Sequence, residues 1–401
     1  MKTNKILTTL LACSIVGSVV AAPKAQWATA QSNNKVLIST QITSPQVNVN
    51  KEAVSFSYKL DASEKLEFNA KPFVENSKQY WLDSTGNKLL QGISLPVTGG
   101  DIIIRISPLS NDKSIQLTAD MIQIKNNGLK KDINVFADSK QLNASGAAFS
   151  DKSIALKINA QAGKLNLKVD NFAGDTPFVV HVFEPKSQYV LSLSSTKATY
   201  DADQTISIKS DFNSANGKID AQLQGYINRP DGSVLGELTF TKAAGGYTAN
   251  IDALGSQGLA QGLWEVHVFA KGQENGKEIM RDAQTSFAVN LNTAAFNGDL
   301  NMMKNTIQIG IEVGLAGRYE VRGVLMGADA KTGELKPIAM TMSADWLKAG
   351  TQSISLKIDN KLIAESNLIA PFELKNIQLS NQTYFAPVQT VQSGIKLLDI
   401  K

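Results

Sequence analysis

The sequence predicts an all-β chain of tandem immunoglobulin-like antiparallel β-sandwich domains. Three observations carry this expectation. Short segments alternate apolar and polar residues at period two, the pattern of strands with one buried and one wet face. Gly, Asn, Asp and Ser clusters separate these segments at short intervals. Helical periodicity is nearly absent, and only Ser343 to Lys348 reads as a possible single helical turn.

Taken in order, residues 1–21 read as a signal peptide. Lys2 and Lys5 form a positive start, Ile6 to Val20 is mostly apolar, and cleavage after Ala21 places Val19 at the minus-three position. The apolar run is too short for a membrane span. Leu10-Leu11-Ala12-Cys13 admits a second reading, lipidation of Cys13, but Ser14 to Ala22 stays apolar where a lipid-anchored tether turns polar. Residues 22–33 read as a loose leader. Residues 34–185 form an N-terminal β unit, either one elaborated domain or two small ones. Its strands include Ile102–Ile106, Ser153–Ile158 and Lys164–Val169.

Glu184-Pro185-Lys186-Ser187 breaks the chain, and residues 186–290 have the length of one immunoglobulin-like sandwich. Tyr189–Leu193 opens that unit and Thr205–Ile208 follows. Arg229-Pro230-Asp231-Gly232-Ser233 and Gly245-Gly246 are turns, with Pro setting φ and Gly accepting positive φ. Residues 291–401 form a C-terminal sandwich that contains the strand Ser353–Ile358.

Composition narrows function mainly by exclusion. Cys13 is the only cysteine, so a mature chain would hold no disulfide and no thiolate site. Signal removal lowers the formal charge from +4 to about +2, without a Lys/Arg cluster. Nucleic acid and anionic membrane are therefore poor partners. The nucleophile elbow, the zinc-protease helix, the phosphate loop and the dinucleotide fingerprint are all missing.

The two histidines, His181 and His267, both lie in the phrase Val-His-Val-Phe. Alternation puts Phe178, Val180 and Val182, and likewise Trp264, Val266, Val268 and Ala270, on core faces. Both histidines then fall on the more polar faces near solvent, and could approach each other only across a domain interface. Asp201 and Asp203 flank Ala202 in a loop; the choice lies between a calcium site and a plain turn, and the irregular spacing favours the turn. Asp170 and Asp175 around Gly174 read the same way. Tyr80, Trp81 and Trp346 read as core aromatics in preference to sugar platforms. Asn143-Ala144-Ser145 and Asn381-Gln382-Thr383 match glycosylation sequons.

Several phrases together resemble a family of secreted gammaproteobacterial proteins classed as a domain of unknown function with immunoglobulin-like modules. They are Ser77–Trp81, Gln91–Pro96 with Ile104–Pro108, Gly262–Val266, Arg281–Val289, Gly317–Leu325, Ala344–Leu347 and Ala370–Leu374. The resemblance implies a β-rich, multi-domain exported protein and brings no catalytic residues. Ala198–Ile208 is more loosely similar to bait-type macroglobulin modules, which favour Pro-Gly where this chain has Ala202-Asp203.

The expectation is thus an exported, non-catalytic protein that binds a protein or glycan at the envelope or outside the cell. It has no catalytic, cofactor or metal residues, no cofactor, no nucleic-acid partner and no membrane span, and its oligomeric state stays open. Two alternatives remain: a carboxylate-based hydrolase with its site in the N-terminal unit, and a periplasmic structural or assembly factor.

Overall fold

The computed structural model describes residues 25–31, 37–39, 49–68, 71–110, 116–144, 152–171, 174–243, 245–255, 260 and 262–398. The expected signal segment, Cys13 and part of the first sequon lie outside the described residues. Among those described, the chain forms β-sandwiches with three main hydrophobic cores.

The first core is enclosed by two sheets. One orders Gln79–Thr85, Pro177–Phe183, Gly100–Pro108, Ile154–Ala160 and Val135–Ala137; the other orders Ile93–Val97, Gly163–Val169, Ile122–Asn126 and Leu129–Lys131. Alternation decides what is buried. Ile102, Ile104 and Ile106 point inward against Leu156, Val180 and Val182. Full burial of each such side chain stabilises by about 1.5–3 kcal/mol. One core serves both sheets, so the strands from Gln79 to Phe183 form a single sandwich. The short helix Gly86–Gln91 starts where Thr85 Oγ1 accepts from the Lys88 N–H at 3.3 Å. It ends at Gly92, whose φ of +96° suits a residue without Cβ. In between it delivers Leu89 into the core.

The second sandwich pairs Thr241–Ala243, Gly246–Ile251, Ile206–Ser214 and Val190–Ser195 in one sheet. Facing it are Thr199–Asp201, Lys277–Asn290, Leu263–Glu274, Ala221–Asn228 and Val234–Thr239. Trp264, Val266, Val268 and Ala270 line its core as the alternation predicts. The expected turn at Arg229–Ser233 closes with Gly232 N–H donating to Arg229 O at 2.9 Å, Gly232 having φ of +84°. Pairing is antiparallel except between Thr199–Asp201 and Lys277–Asn290, which run parallel.

The third sandwich stacks a small sheet of Ala294–Met303, Thr306–Val313 and Gly350–Lys357 on a larger one. The larger runs Ala25–Trp27, Ile395–Leu397, Ile369–Asn381, Gly317–Ala328, Leu335–Leu347 and Val54–Lys59, with Ala386–Val391 branching from Ile369–Asn381.

Three expectations need correction. The supposed leader contains the strand Ala25–Trp27, which inserts Trp27 against Phe296 with ring centroids 5.3 Å apart. Three residues of alternation are too few to register as a pattern. Val54–Lys59, expected in the N-terminal unit, is an edge strand of the C-terminal sheet, and Val74–Ser77 joins the middle sheet beside Val190–Ser195. Finally, Ser343 to Leu347 is strand and not helix: all five residues pair with Gly317–Ala328, Ser343 and Ala344 also pair with Val54–Lys59, and Ser343 Oγ donates to Ser355 O at 2.7 Å. Lateral pairing satisfies the backbone groups that a lone helical turn would leave open.

Candidate functional site

The first and second sandwiches meet along one seam, built from side chains that alternation assigns to wet faces. In the strand Lys277–Asn290, the inward series Ile279, Ala283, Phe287 and Val289 fills the second core. The opposite series begins with Met280, which packs against the core of the first sandwich. Trp81, from the edge strand Gln79–Thr85, lies over His267 and Phe269 at centroid distances of 6.0 and 5.8 Å, nearly parallel to both. Tyr226 lies against His267 at 4.8 Å and 5°, and against Phe269 at 6.2 Å. Four rings from two domains therefore form one stack. Each aromatic pair of this kind stabilises by about 0.5–1.5 kcal/mol beyond its buried area.

An ion pair closes the end of the seam. Glu184 and Arg281 are both fully buried, with Oε2 and Nη2 2.9 Å apart. Glu184 Oε1 also accepts from Thr98 N–H and Thr98 Oγ1 at 2.5 and 2.8 Å. Arg281 donates to Ser187 Oγ at 2.6 Å, to Tyr189 O at 3.0 Å and to Met280 O at 2.6 Å. A buried pair is tolerated when its remaining donors and acceptors are satisfied in this way. The sequence showed Glu184 only as the start of a chain break; a carboxylate before Pro carries no local sign that it will meet an arginine 97 positions on.

The titratable groups of the seam are displaced. Burial first, and then the neighbouring Glu75 charge, push the Asp282 carboxyl up to about 7. Burial raises Glu75 as well. Burial and the Arg105 charge push His181 down to about 4, and its Nε2 sits 3.0 Å from Gln79 Oε1. Both histidines were expected near solvent. His267 is buried beneath Trp81, and His181 is half-buried in register with Trp81 on the neighbouring strand. The cause is tertiary: a second domain covers faces that alternation marks as wet.

Beside the seam, the hairpin of Ala221–Asn228 and Val234–Thr239 borders a cleft of about 700 Å³. Tyr226, Phe269 and Phe240 present rings to it, and Gln224, Asn228 and Glu237 supply polar groups. Tyr226 thus belongs both to the stack and to the cleft wall. Glu237 is the single charged residue of the lining, so the cleft suits a neutral ligand with an apolar face and hydroxyl or amide groups. Sequence reading missed this cleft, because Gln224, Tyr226 and Asn228 look like an ordinary wet strand face.

The other candidates have structural partners. Tyr80 is core, its hydroxyl donating to Pro96 O at 2.8 Å, whereas Trp81 seals the seam. Trp346 is half-buried with Lys51 Nζ 4.5 Å from its ring centroid. Asp201 accepts from Asn290 Nδ2 at 2.7 Å and from Gln204, while Asp203 is exposed; the pair closes a turn. Asp170 pairs with Lys168 at 2.8 Å, and Asp175 accepts from Asn87 at 3.0 Å. Among the described residues no three His, Cys, Asp or Glu side chains gather as a metal set, and no helix is long and apolar enough to cross a membrane.

Comparison with known proteins adds a family. Residues 45–184 match the N-terminal domain of DUF4785, a domain of unknown function, and residues 293–398 match its C-terminal domain. No curated protein matches the chain. A crystal structure of a DUF4785 family protein from Legionella pneumophila aligns with a TM-score of 0.70 at 16% identity, over 90% of this chain and 98% of that one. That likeness establishes the fold. Native Escherichia coli alpha-2-macroglobulin aligns at a TM-score of 0.28 and 14% identity, over 80% of this chain and 20% of that one. Methylamine-reacted Salmonella alpha-2-macroglobulin gives 0.24 and 13%, over 84% and 24%. Scores that low establish no shared fold.

Proposed function

The chain carries the N-terminal and C-terminal domains of DUF4785, and from that premise we propose that it is an exported, non-catalytic binding protein that meets a glycan or a protein at the envelope or outside the cell. The observation that supports this reading is the make-up of the cleft beside the seam. It offers aromatic faces and amides with one carboxylate, the lining of a recognition surface. The carboxyl pair with displaced titration, Asp282 and Glu75, does not line it and lies in the seam between domains. A hydrolase would need such acids facing the ligand.

Glycan arrays and envelope extracts, probed with the purified chain, test the reading. A ligand of this cleft binds roughly tenfold or more weakly to Asn228→Ala and Glu237→Ala. Binding that ignores both substitutions, or no binding to any array or extract, sinks the proposal. Cell fractionation tests its compartment, and a full-length cytoplasmic product would contradict export.

A further inference from the structure

Among the described residues, the strand Val54–Lys59 is an edge of the C-terminal sheet and pairs only with Leu335–Leu347. Its outer face carries an apolar row, with Val54 42%, Phe56 52% and Tyr58 48% exposed. The register places Val54, Phe56 and Tyr58 beside Ala344, Met342 and Met340, which extends the row across two strands. Sheet edges in soluble proteins are ordinarily kept short, bulged or broken by Pro to prevent pairing. Several other edges of this chain follow that rule, and of the longer ones Gln79–Thr85 is met by the second sandwich through Trp81, while Gly350–Lys357 exposes polar residues. Ala25–Trp27, Leu129–Lys131, Val135–Ala137 and Thr241–Ala243 are edges of 3 residues each, and the edge strand Val234–Thr239 pairs through a bulge. Val54–Lys59 has 6 residues, no Pro and an unbroken register.

The free backbone groups can be assigned. Leu60 N–H donates to Ile338 O at 2.9 Å, in register with the strand pairing, so residues of even number bond inward to Leu335–Leu347. Ser55, Ser57 and Lys59 therefore aim their N–H and C=O groups away from the sheet.

We propose that this strand pairs with the same strand of a second copy, antiparallel about a two-fold axis at Phe56, so that the C-terminal sheet continues across a dimer. Sequence and geometry agree on that register. Ser55 and Ser57 of one copy exchange hydrogen bonds with Ser57 and Ser55 of the other. Phe56 meets Phe56 at a non-hydrogen-bonded position, where side chains approach most closely, and Val54 meets Tyr58. Lys51 comes opposite Asp61, an attractive pair. A shift of two residues one way sets Lys51 against Lys59; the other way leaves Asp61 opposite Ala53. A two-fold axis through the strand makes the contact self-complementary and closed. Six residues a side bury less than a standard interface, so the dimer is weak, with a dissociation constant on the order of micromolar.

Sedimentation of the purified chain across a concentration series tests this, and self-association is the expected result. Phe56→Glu places two like charges on the axis and Ser55→Pro removes an outward donor while sparing the inward pairing. Each weakens the dimer by roughly tenfold or more at unchanged melting temperature. In a Cys13→Ser background, Phe56→Cys forms a disulfide-linked dimer on mild oxidation, because facing residues of a non-hydrogen-bonded pair meet the distance a disulfide needs. Phe73→Cys, at an exposed position away from the strand, does not. A monomer at every concentration, together with no faster cross-linking by Phe56→Cys than by Phe73→Cys, overturns the proposal. The Phe56→Cys comparison decides the matter even where Ser55→Pro fails to fold.

Discussion

Asp282 and His181 titrate in opposite directions, and their sum is a pH effect that hides itself. Asp282 is pushed from 3.8 up to about 7, and His181 from 6.5 down to about 4. Between about pH 4 and 6.5 the unfolded chain has Asp282 ionised and His181 protonated, whereas the folded chain has the reverse. Both states bind the same number of protons at these two sites, so the two together leave stability level across that window. Single substitutions expose the halves. With Asp282→Asn the His181 contribution stands alone, and stability rises with pH from about 4 to 6.5. With His181→Gln the Asp282 contribution stands alone, and stability falls as pH rises from about 4 to 7. Each slope approaches about 1.4 kcal/mol per pH unit at its steepest. Urea midpoints across pH check both signs, and parallel profiles for the parent and both variants would refute the displaced titrations.

At the scale of elements, the seam joins an edge strand of the first sandwich to a central strand of the second. Trp81 reaches His267 and Phe269, and Met280 returns the contact into the first core. Trp81→Ala removes the outer ring of the stack and costs about 2–4 kcal/mol of coupling. The expected readout is separation of one thermal transition into two in calorimetry, since domains that no longer share a seam unfold independently. A single transition at the parent temperature would show that the stack does not couple them. The elements themselves were legible. Gly100–Pro108, Ile154–Ala160, Gly163–Val169 and Gly350–Lys357 sit where alternation places strands, and Phe178, Val180, Trp264, Val266 and Val268 face cores as read. The cleft was not legible, because Gln224, Tyr226 and Asn228 gain their concavity only from the hairpin and from the strand Leu263–Glu274 beside it.

Across the whole molecule, the chain visits its domains out of order. Ala25–Trp27 and Val54–Lys59 belong to the C-terminal sheet, Val74–Ser77 to the middle one, and only then does the first sandwich begin. The C-terminal sandwich is therefore incomplete without residues from the far end of the chain. Removing residues 25–60 uncovers Phe296 and the edges of Ile395–Leu397 and Leu335–Leu347. The C-terminal transition then falls by several degrees or is lost, while the first core, which takes nothing from this segment, keeps its own. An unchanged melting profile would argue against the shared sheet.

What the sequence determined by itself was the all-β class, the strands and the inward face of each, because a period of two is a local property that burial enforces residue by residue. It also showed that the chain holds two histidines and one cysteine. Only the tertiary structure decided which strands are neighbours, which wet-looking faces are covered, and where the cleft lies. Pairing across hundreds of positions, as between Val54–Lys59 and Leu335–Leu347, leaves no local mark, since any strand of suitable length satisfies the same hydrogen bonds. His267 and His181 read as solvent-facing for the same reason: alternation tells inside from outside within one sheet and is blind to a second domain set against it.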